Sequence, residues 1–525
     1  MQSVSLFCRE DMYGMGFLDS IIAAVSPEAA YRREAYKRAY NSLRNYDAGN
    51  YDRPNQNWRV GNQSAELTDR YSRDEVRARA RDLERNSDIM NSVTGAFRRN
   101  VVGGGFTVQA KTGDSELNKQ LETAWKRWCK KQNCDVTGTQ SLNQIIRMAV
   151  ERKKIDGGIL FVKRYTKEGF VPFKLQMIEV DELDQGAVRP KHSGNKVIGG
   201  IEYNAWNRPA GYFIRQYDLD GFWKKEAVWV DAKDVIFYFT KKRPTQLREM
   251  SDMAQTIPRI RDVNEFMMAV AVKERIEACL SIFIKRALPA VPGRGGQLSP
   301  DRVNYEGKLL SPGMIKELNA GDEIQVVNPS GQGADATSFT KLQQRLIGAG
   351  QGISYEATSR DMSEATYSSA RQGMIEDDLN YGEEKDLLLE VMDEIYETFI
   401  ISAVLCGVLS IPRFWEEKGK YLSHDWTQEP KAWIDPKKES DANRIALQTG
   451  QKTFMQIAAE NGRDWMDQID DMAKVLEYGR EKGVNMESVV FGLDNGGEHT
   501  NAEEDEGEDG EEDDEKRSRP VYRRK

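Results

Sequence analysis

The stretch from Val263 to Leu288, VNEFMMAVAVKERIEACLSIFIKRAL, sets the tightest limit on what this chain can become. It reads as one long helix, yet its apolar residues do not keep to a single stripe. A helix apolar on more than one face needs burial against more than one neighbour. The run stops at PAVPGRGG, passes through KLLSPGMIKELNAGDEIQVV and the loose NPSGQGADAT, and returns as helical SFTKLQQRLI. Two helices bracketing a small insertion with β-like patterning read as an antiparallel stalk with a tip.

On either side of the stalk the periodicity changes. TQSLNQIIRMAVERKKI carries Leu142, Ile145, Ile146 and Ala149 on one helical stripe. After Asp156-Gly157 come strand-like runs, ILFVKRY, FKLQMIEV, KVIGGIEYN, GYFIRQYD and AVWVDAKDVIFYF. Asn207–Gly211 and Asp220-Gly221 supply hairpin turns between them. The pattern predicts an α+β domain with largely antiparallel strands. Upstream, SPEAAYRREAYKRAYNSL is helical, DRPNQNWRVGNQSAE is loop by composition, and RDEVRARARDLERNSDIMNSVTGAFRRNVVGGG is helical until its glycines. Its arginines read as a solvated face. Downstream of the stalk, GAGQGISYEATSRDMSEATYSSARQGM (348–374) is polar and rich in small residues. It is far longer than the roughly two to eight residues that join packed helices. Residues 369–409 then form the longest helical pattern, with Leu388, Val391, Met392, Ile395, Phe399 and Ile400 on one stripe. Two further helical patterns, DPKKESDANRIALQTG and TFMQIAAENGRDWMDQIDDMAKVLEYGREKG, read as a small helical domain. The tail from 494 is too charged and too poor in apolar residues to fold alone.

Charge and residue inventory narrow the chemistry. The net charge is −9, but Glu498–Glu515 holds 12 acidic residues and Lys516–Lys525 holds 6 basic ones. Without that tail, 75 basic and 84 acidic residues become 69 and 72, a net charge of −3. A protein that grips DNA through counterion release carries a basic excess, and this body does not. GMGFLDSIIAAV is too short and too interrupted to cross a membrane and does not read as a secretory signal. The five scattered cysteines suggest a reducing compartment and no disulfide framework, and Cys129 and Cys134 read as core residues. With no P-loop and only three distant histidines, a motor or a histidine-based metal site lacks material, and no cofactor is expected. Glu376, Asp377, Asp378, Glu383, Glu384 and Asp386 could hold two metals. However, no lysine or histidine accompanies them at catalytic spacing, and acids three or four apart line any solvated helix. The residues therefore favour a structural protein over an enzyme.

Taken in order, GFLDSIIAAVSPEAAYRREAY, RARARDLERNSDIMNSVTGAFRRNVVGGG, the Trp125–Trp128 pair before CDVTGTQSLNQIIRMAV, KLQMIEVDELD, RPTQLREMSDMAQTI, LSPGMIKELNAGDEIQ, RDMSEATYSSARQGMIEDD and WIDPKKESDANRIALQTG resemble the lambda-like family of phage portal proteins. The resemblance spans roughly residues 14–490. Two departures stand out: Glu249 replaces a usual glycine, and Phe237 stands where histidine is common.

The resemblance implies a portal fold: an α/β wing, a helical stem, a small β-containing clip, a long spine helix and a helical crown. It implies an N-terminal arm (1–85), wing (86–249), stem helix (250–288), clip (289–337), second stem helix (338–355), tunnel loop (356–368), spine helix with wing return (369–424), crown (425–493) and disordered acidic tail (494–525). It further implies a homo-oligomeric ring, typically a 12-mer, at one capsid vertex of the virion, assembled in the host bacterial cytoplasm. Double-stranded DNA would be packaged and ejected through its channel. The terminase large subunit and the head–tail connector proteins would dock on it, and it would nucleate assembly with the major capsid and scaffold proteins. A terminase-like nuclease or motor subunit, or a minor head protein, is the alternative. On this map Ser359, Arg360, Asp361, Met362, Ser363, Glu364 and Thr366 face the DNA channel. Lys341 and Arg345 are stem cations facing the channel or a neighbour, and Arg243, Gln246 and Arg248 lie at the wing–stem joint. Gly348, Gly350 and Gly352 would loosen the stem's end, Ser368 or Ser369 would cap the spine helix, and the acids of that helix would keep the channel wall non-adhesive.

Overall fold

The computed structural model describes residues 26–42, 61–278, 282–286, 322–326, 334–428, 436–484 and Met486. The N-terminal residues 1–25, most of the segment assigned to the clip, and the acidic tail lie outside the described residues.

The chain divides into two compact units. The smaller one takes residues through Tyr71 together with Arg243–Gln246. It holds helix α1 (Pro27–Ser42) and the short α2 (Ala65–Asp69). Ser64 caps α2 by accepting from the Leu67 amide at 3.4 Å. The Ala65 amide donates to Thr245 Oγ1 at 2.9 Å, and Arg243 donates to the Gln63 carbonyl at 2.9 Å.

The larger unit opens with α3 (Arg73–Asn86) and α4 (Asp88–Phe97), broken at Ser87. The extended backbone of Ser87 (φ −131°) ends the first helix, and its hydroxyl caps the second through the Met90 amide. A π-helical turn, Arg98–Val102, ends at Gly103 (φ +52°). Strand β1 (Phe106–Ala110), α5 (Ser115–Trp128), α6 (Lys131–Cys134) and α7 (Leu142–Asp156) follow. Gly157 closes α7 at φ +91°, and a Cβ there would lie 2.4 Å from the Met250 carbonyl carbon, so only glycine fits.

Three strands then form the order β3–β2–β8: β2 (Gly158–Tyr165), β3 (Phe173–Glu179) and β8 (Val235–Phe239). A second sheet runs β4 (Lys196–Ile198), β5 (Ile201–Tyr203), β6 (Pro209–Ile214) and β7 (Val228–Asp231). All these pairings are antiparallel, so the chain is an α+β protein. The apolar run of β2 reads continuously because both of its faces are covered. Ile159 and Phe161 enter one core, while Leu160 and Val162 enter another against the second sheet. The larger core stacks Trp125, Trp128 and Phe173, with ring centroids 5.0 and 5.2 Å apart. Tyr396 and Phe399 meet Trp125 edge-on.

Helix α8 spans Ile257–Ala278, which corrects two expectations. It starts later than residue 250 because Met253–Thr256 closes a turn, with Thr256 Oγ1 donating to the Met253 carbonyl at 3.0 Å. Pro258 sits in the first helical turn, where its missing N–H leaves no bond unmade. The helix also ends short of 288, because Ile282–Arg286 is strand β9, paired antiparallel with β10 (Asp322–Val326). Ile282, Phe283 and Ile284 suit a strand once a partner strand exists.

The chain returns as α9 (Ala334–Gln351), α10 (Tyr355–Ser359) and α11 (Tyr367–Leu405). Thirty-nine residues make α11 about 58 Å long. Its N-cap is Thr366 and neither of the two serines expected. Thr366 Oγ1 accepts from the Ser369 amide at 3.3 Å, and Ser369 Oγ accepts from the Thr366 amide at 3.0 Å. After α12 (Lys418–Tyr421), β11 (His424–Gln428) pairs antiparallel with β1. The last helices are α13 (Pro436–Gln448), α14 (Phe454–Glu460) and α15 (Trp465–Glu481).

Three arginines of α3 differ from the solvated face their spacing suggests, while Arg79 and Arg85 keep to it. Arg73 and Arg77 are buried, and Arg81 is mostly so. Arg77 bridges Glu249 at 3.1 Å and Asp181 at 2.8 Å, and Arg81 bridges Asp156 and Asp181 at 2.6 Å each. Residues spaced by four share a helix face, but that periodicity does not say whether the face meets water or carboxylates.

Candidate functional site

The polar stretch after α9 is built from small residues for packing. Gly348 and Gly350 lie within α9. A Cβ on Gly348 would lie 2.7 Å from both the Ile353 carbonyl oxygen and Thr358 Oγ1, and one on Gly350 would lie 2.9 Å from a Thr256 methyl. These glycines therefore admit close approach at the helix end. Gly352 (φ +70°) makes the turn out of the helix. Asn380 of α11 holds that turn, donating to the Gln351 and Gly352 carbonyls at 2.8 and 2.9 Å. Gln351 donates to Thr256 Oγ1 at 3.2 Å.

Part of the expected loop is the single helical turn α10. Ser354 caps it, with Oγ accepting from the Ala357 amide at 3.2 Å. The same serine donates from its amide and hydroxyl to Asp377, at 2.6 and 2.7 Å. Burial raises the Asp377 carboxyl above its ordinary range, against the opposing pull of the Ser354 hydrogen bonds. Arg360 ends the turn in the left-handed region at φ +60°, with its side chain exposed. Ser359 Oγ accepts from the Asp361 amide at 3.1 Å. Asp361 accepts from the Ser363 amide at 3.0 Å and the Tyr355 hydroxyl at 3.1 Å. The Ser363 bonds foremost hold its carboxyl below the usual range. Met362, Ser363, Glu364 and Thr366 are exposed.

Two groups of residues that the sequence leaves separate meet here. Glu364 bridges Lys341 at 2.7 Å through Oε1 and Arg345 at 3.7 Å through Oε2. The Lys341 hydrogen bond lowers the Glu364 carboxyl, and the same bond raises the lysine. The Arg345 guanidinium also lies 5.3 Å from the Tyr355 ring centroid.

The third group does not join them. Arg243 serves the small unit through Gln63, and Gln246 is buried, its amide donating to the Arg243 carbonyl at 2.9 Å. Arg248 is fully buried. It pairs with Glu249 through Nε at 2.7 Å and Nη2 at 2.8 Å, and also donates to the Val180 and Gly199 carbonyls. Glu249, at the position where a glycine is usual, is therefore the counter-charge of Arg248 and Arg77.

The acidic helix does not present all its carboxylates to solvent. Glu384 is buried and receives Lys153 at 2.6 Å, Lys154 at 3.3 Å and the Tyr238 hydroxyl at 2.9 Å. Asp252 completes the cluster, at 3.0 Å from Lys153 and 3.1 Å from Lys242. The charge cluster lines a cleft of about 320 Å³. Burial opposes the charge of Glu384, but the lysines outweigh it and hold the carboxyl low. Among the described residues no three His, Cys, Asp or Glu side chains stand together as metal ligands would.

Sequence reasoning missed Tyr355, Asp377 in its capping role, and Arg99. Burial lowers the Arg99 guanidinium, and the nearby positive charges of Arg360 and Arg98 lower it further. Arg360 becomes its neighbour only after α10 packs against α4. Paired arginines before the glycines, at 98–99, were the only signal in the sequence.

Comparison with known proteins extends these observations beyond one chain. The probable portal protein of Halomonas phage phiHAP-1 is 25% identical over 425 residues, covering 78% of this chain and 81% of that protein. Portal protein B of Escherichia phage lambda is 20% identical over 433 residues, covering 74% and 81%. Among solved structures, a chain of the virion of a native gene transfer agent particle matches 71% of this chain and 90% of its own length, with 12% identity and a TM-score of 0.42. The lambda-family model of phage portal proteins matches residues 51–384. That span includes strands β1 to β8, α8, α9, Glu364 and the start of α11. The chain belongs to the lambda family of phage portal proteins.

Proposed function

We propose that copies of this chain close into the ring, typically a 12-mer, that forms the DNA channel at one vertex of a phage capsid. Double-stranded DNA enters during packaging and leaves at ejection through the ring. The terminase large subunit and head–tail connector proteins dock on it, and it nucleates assembly with the major capsid and scaffold proteins in the host cytoplasm. The family match carries this reading. Two physical features support it. Exposed apolar side chains on α8 (Met267, Met268, Val272) and α11 (Ile375, Leu379) await a covering surface. A head-to-tail interface that closes under rotation covers such faces in every copy. In addition, the nearly neutral body suits a duplex that must slide.

The tunnel loop (356–368) faces DNA through residues 359–364 and Thr366 in this reading, following a stem helix that ends at Gln351 and leading into a spine helix that starts at Tyr367. Deleting Ser359–Thr366 leaves rings visible by negative-stain microscopy but abolishes DNA packaging in a reconstituted head assay. Normal packaging by the deleted ring would overturn the assignment.

A further inference from the structure

Lys341 and Arg345 lie one helical turn apart on α9 and converge on the two different oxygens of one carboxylate, at 2.7 and 3.7 Å. Two cations on the two terminal oxygens of one planar anion is also how a phosphodiester, with its two non-bridging oxygens, is held. The carboxylate comes from Glu364, on an exposed, non-helical stretch of the chain. The other nearby acid, Asp361, is engaged elsewhere, by the Tyr355 hydroxyl and the Ser363 amide. Arg345 keeps more than half its side chain exposed, so a second anion can reach it from solvent.

We propose that Lys341 and Arg345 form a binding site for a DNA backbone phosphate, and that Glu364 masks it when DNA is absent. The idea rests on the portal reading only for the statement that duplex DNA passes this surface. An exposed carboxylate pair is weak because water and salt screen it. A phosphate on a duplex brings an extra driving force, the release of the counterions condensed on the polymer. Passing DNA therefore displaces Glu364, and when the phosphate moves on, the carboxylate closes again. The site binds without holding, because an internal competitor is always at hand. The strap that carries Glu364 is let go at the same moment, which couples DNA occupancy to the conformation of residues 361–366.

The test uses the full-length ring and a short fluorescein-labelled DNA duplex, with affinity measured by anisotropy across a salt series. Glu364→Gln leaves the fold intact, since the side chain is exposed. It raises affinity several-fold and steepens the slope of log K against log salt by about one for each phosphate newly engaged. Hydrogen exchange at residues 361–366 rises in the same variant. Adding Lys341→Gln and Arg345→Gln removes the gain. Unchanged affinity and slope in Glu364→Gln would overturn the proposal, and so would a gain that survives loss of both cations. The channel assignment fails separately, if deletion of Ser359–Thr366 leaves packaging normal.

Discussion

At the scale of single residues, the charges that matter most are the ones withdrawn from water. Lys153 and Glu384 lie 231 positions apart in sequence and form a buried pair at 2.6 Å. Removing one member of a buried pair strands the other charge, at a cost of roughly 3 kcal/mol or more. Glu384→Ala therefore lowers the thermal midpoint by several degrees in a fluorimetric melt, while Glu383→Ala, an exposed neighbour, leaves it nearly unchanged. Equal effects from the two would contradict the buried cluster. The cost of the pair is tolerable only because Asp252, Lys154, Lys242 and Tyr238 complete it. Arg248 shows the same pattern, with one guanidinium satisfied by Glu249 and the Val180 and Gly199 carbonyls. None of this was legible from residue type. An acid on a helix looks the same in sequence whether it meets water or a lysine.

At the scale of elements, glycines separate two roles that sequence alone confuses. Gly382 lies inside α11 with nothing within 4 Å of an added Cβ. Alanine there restores helix propensity and stabilises by about 1 kcal/mol. Gly348 is also helical, but its Cβ would collide with the Ile353 carbonyl and Thr358 Oγ1. Gly348→Ala loses more to that collision than propensity returns, so the variant melts lower, and urea titration of both variants gives the opposite signs. Helix α7 was legible because it buries a face at the helical repeat, and β2 because a short continuous apolar run marks a strand covered on both faces. The switch from α8 to β9 was not, because Ile282–Arg286 becomes a strand only by pairing with residues 322–326. The β1–β11 pair is likewise non-local: Lys111 and Asp425, 314 positions apart, meet beside it.

At the scale of the whole molecule, the larger unit leaves apolar side chains uncovered on α8, α9 and α11, among them Met268, Leu342 and Leu379. In the ring reading these faces are covered by neighbouring copies. Met268→Glu combined with Leu379→Glu then shifts the protein from ring-sized to smaller species in sedimentation velocity, with its circular dichroism unchanged. Rings that persist in the double variant would mean that other surfaces hold the assembly together.

What the sequence determined by itself is what local periodicity and motif order can carry. The α+β class, the antiparallel strands, the two helices flanking an insertion, the long acidic helix and the portal family were all readable from residues in order. Tertiary structure alone decided which charges leave water, which glycines are spacers, and that Glu364 meets Lys341 and Arg345 of α9. The reason is physical. Periodicity reports which residues share a face, whereas desolvation, close approach and ion pairing depend on what the rest of the chain brings to that face.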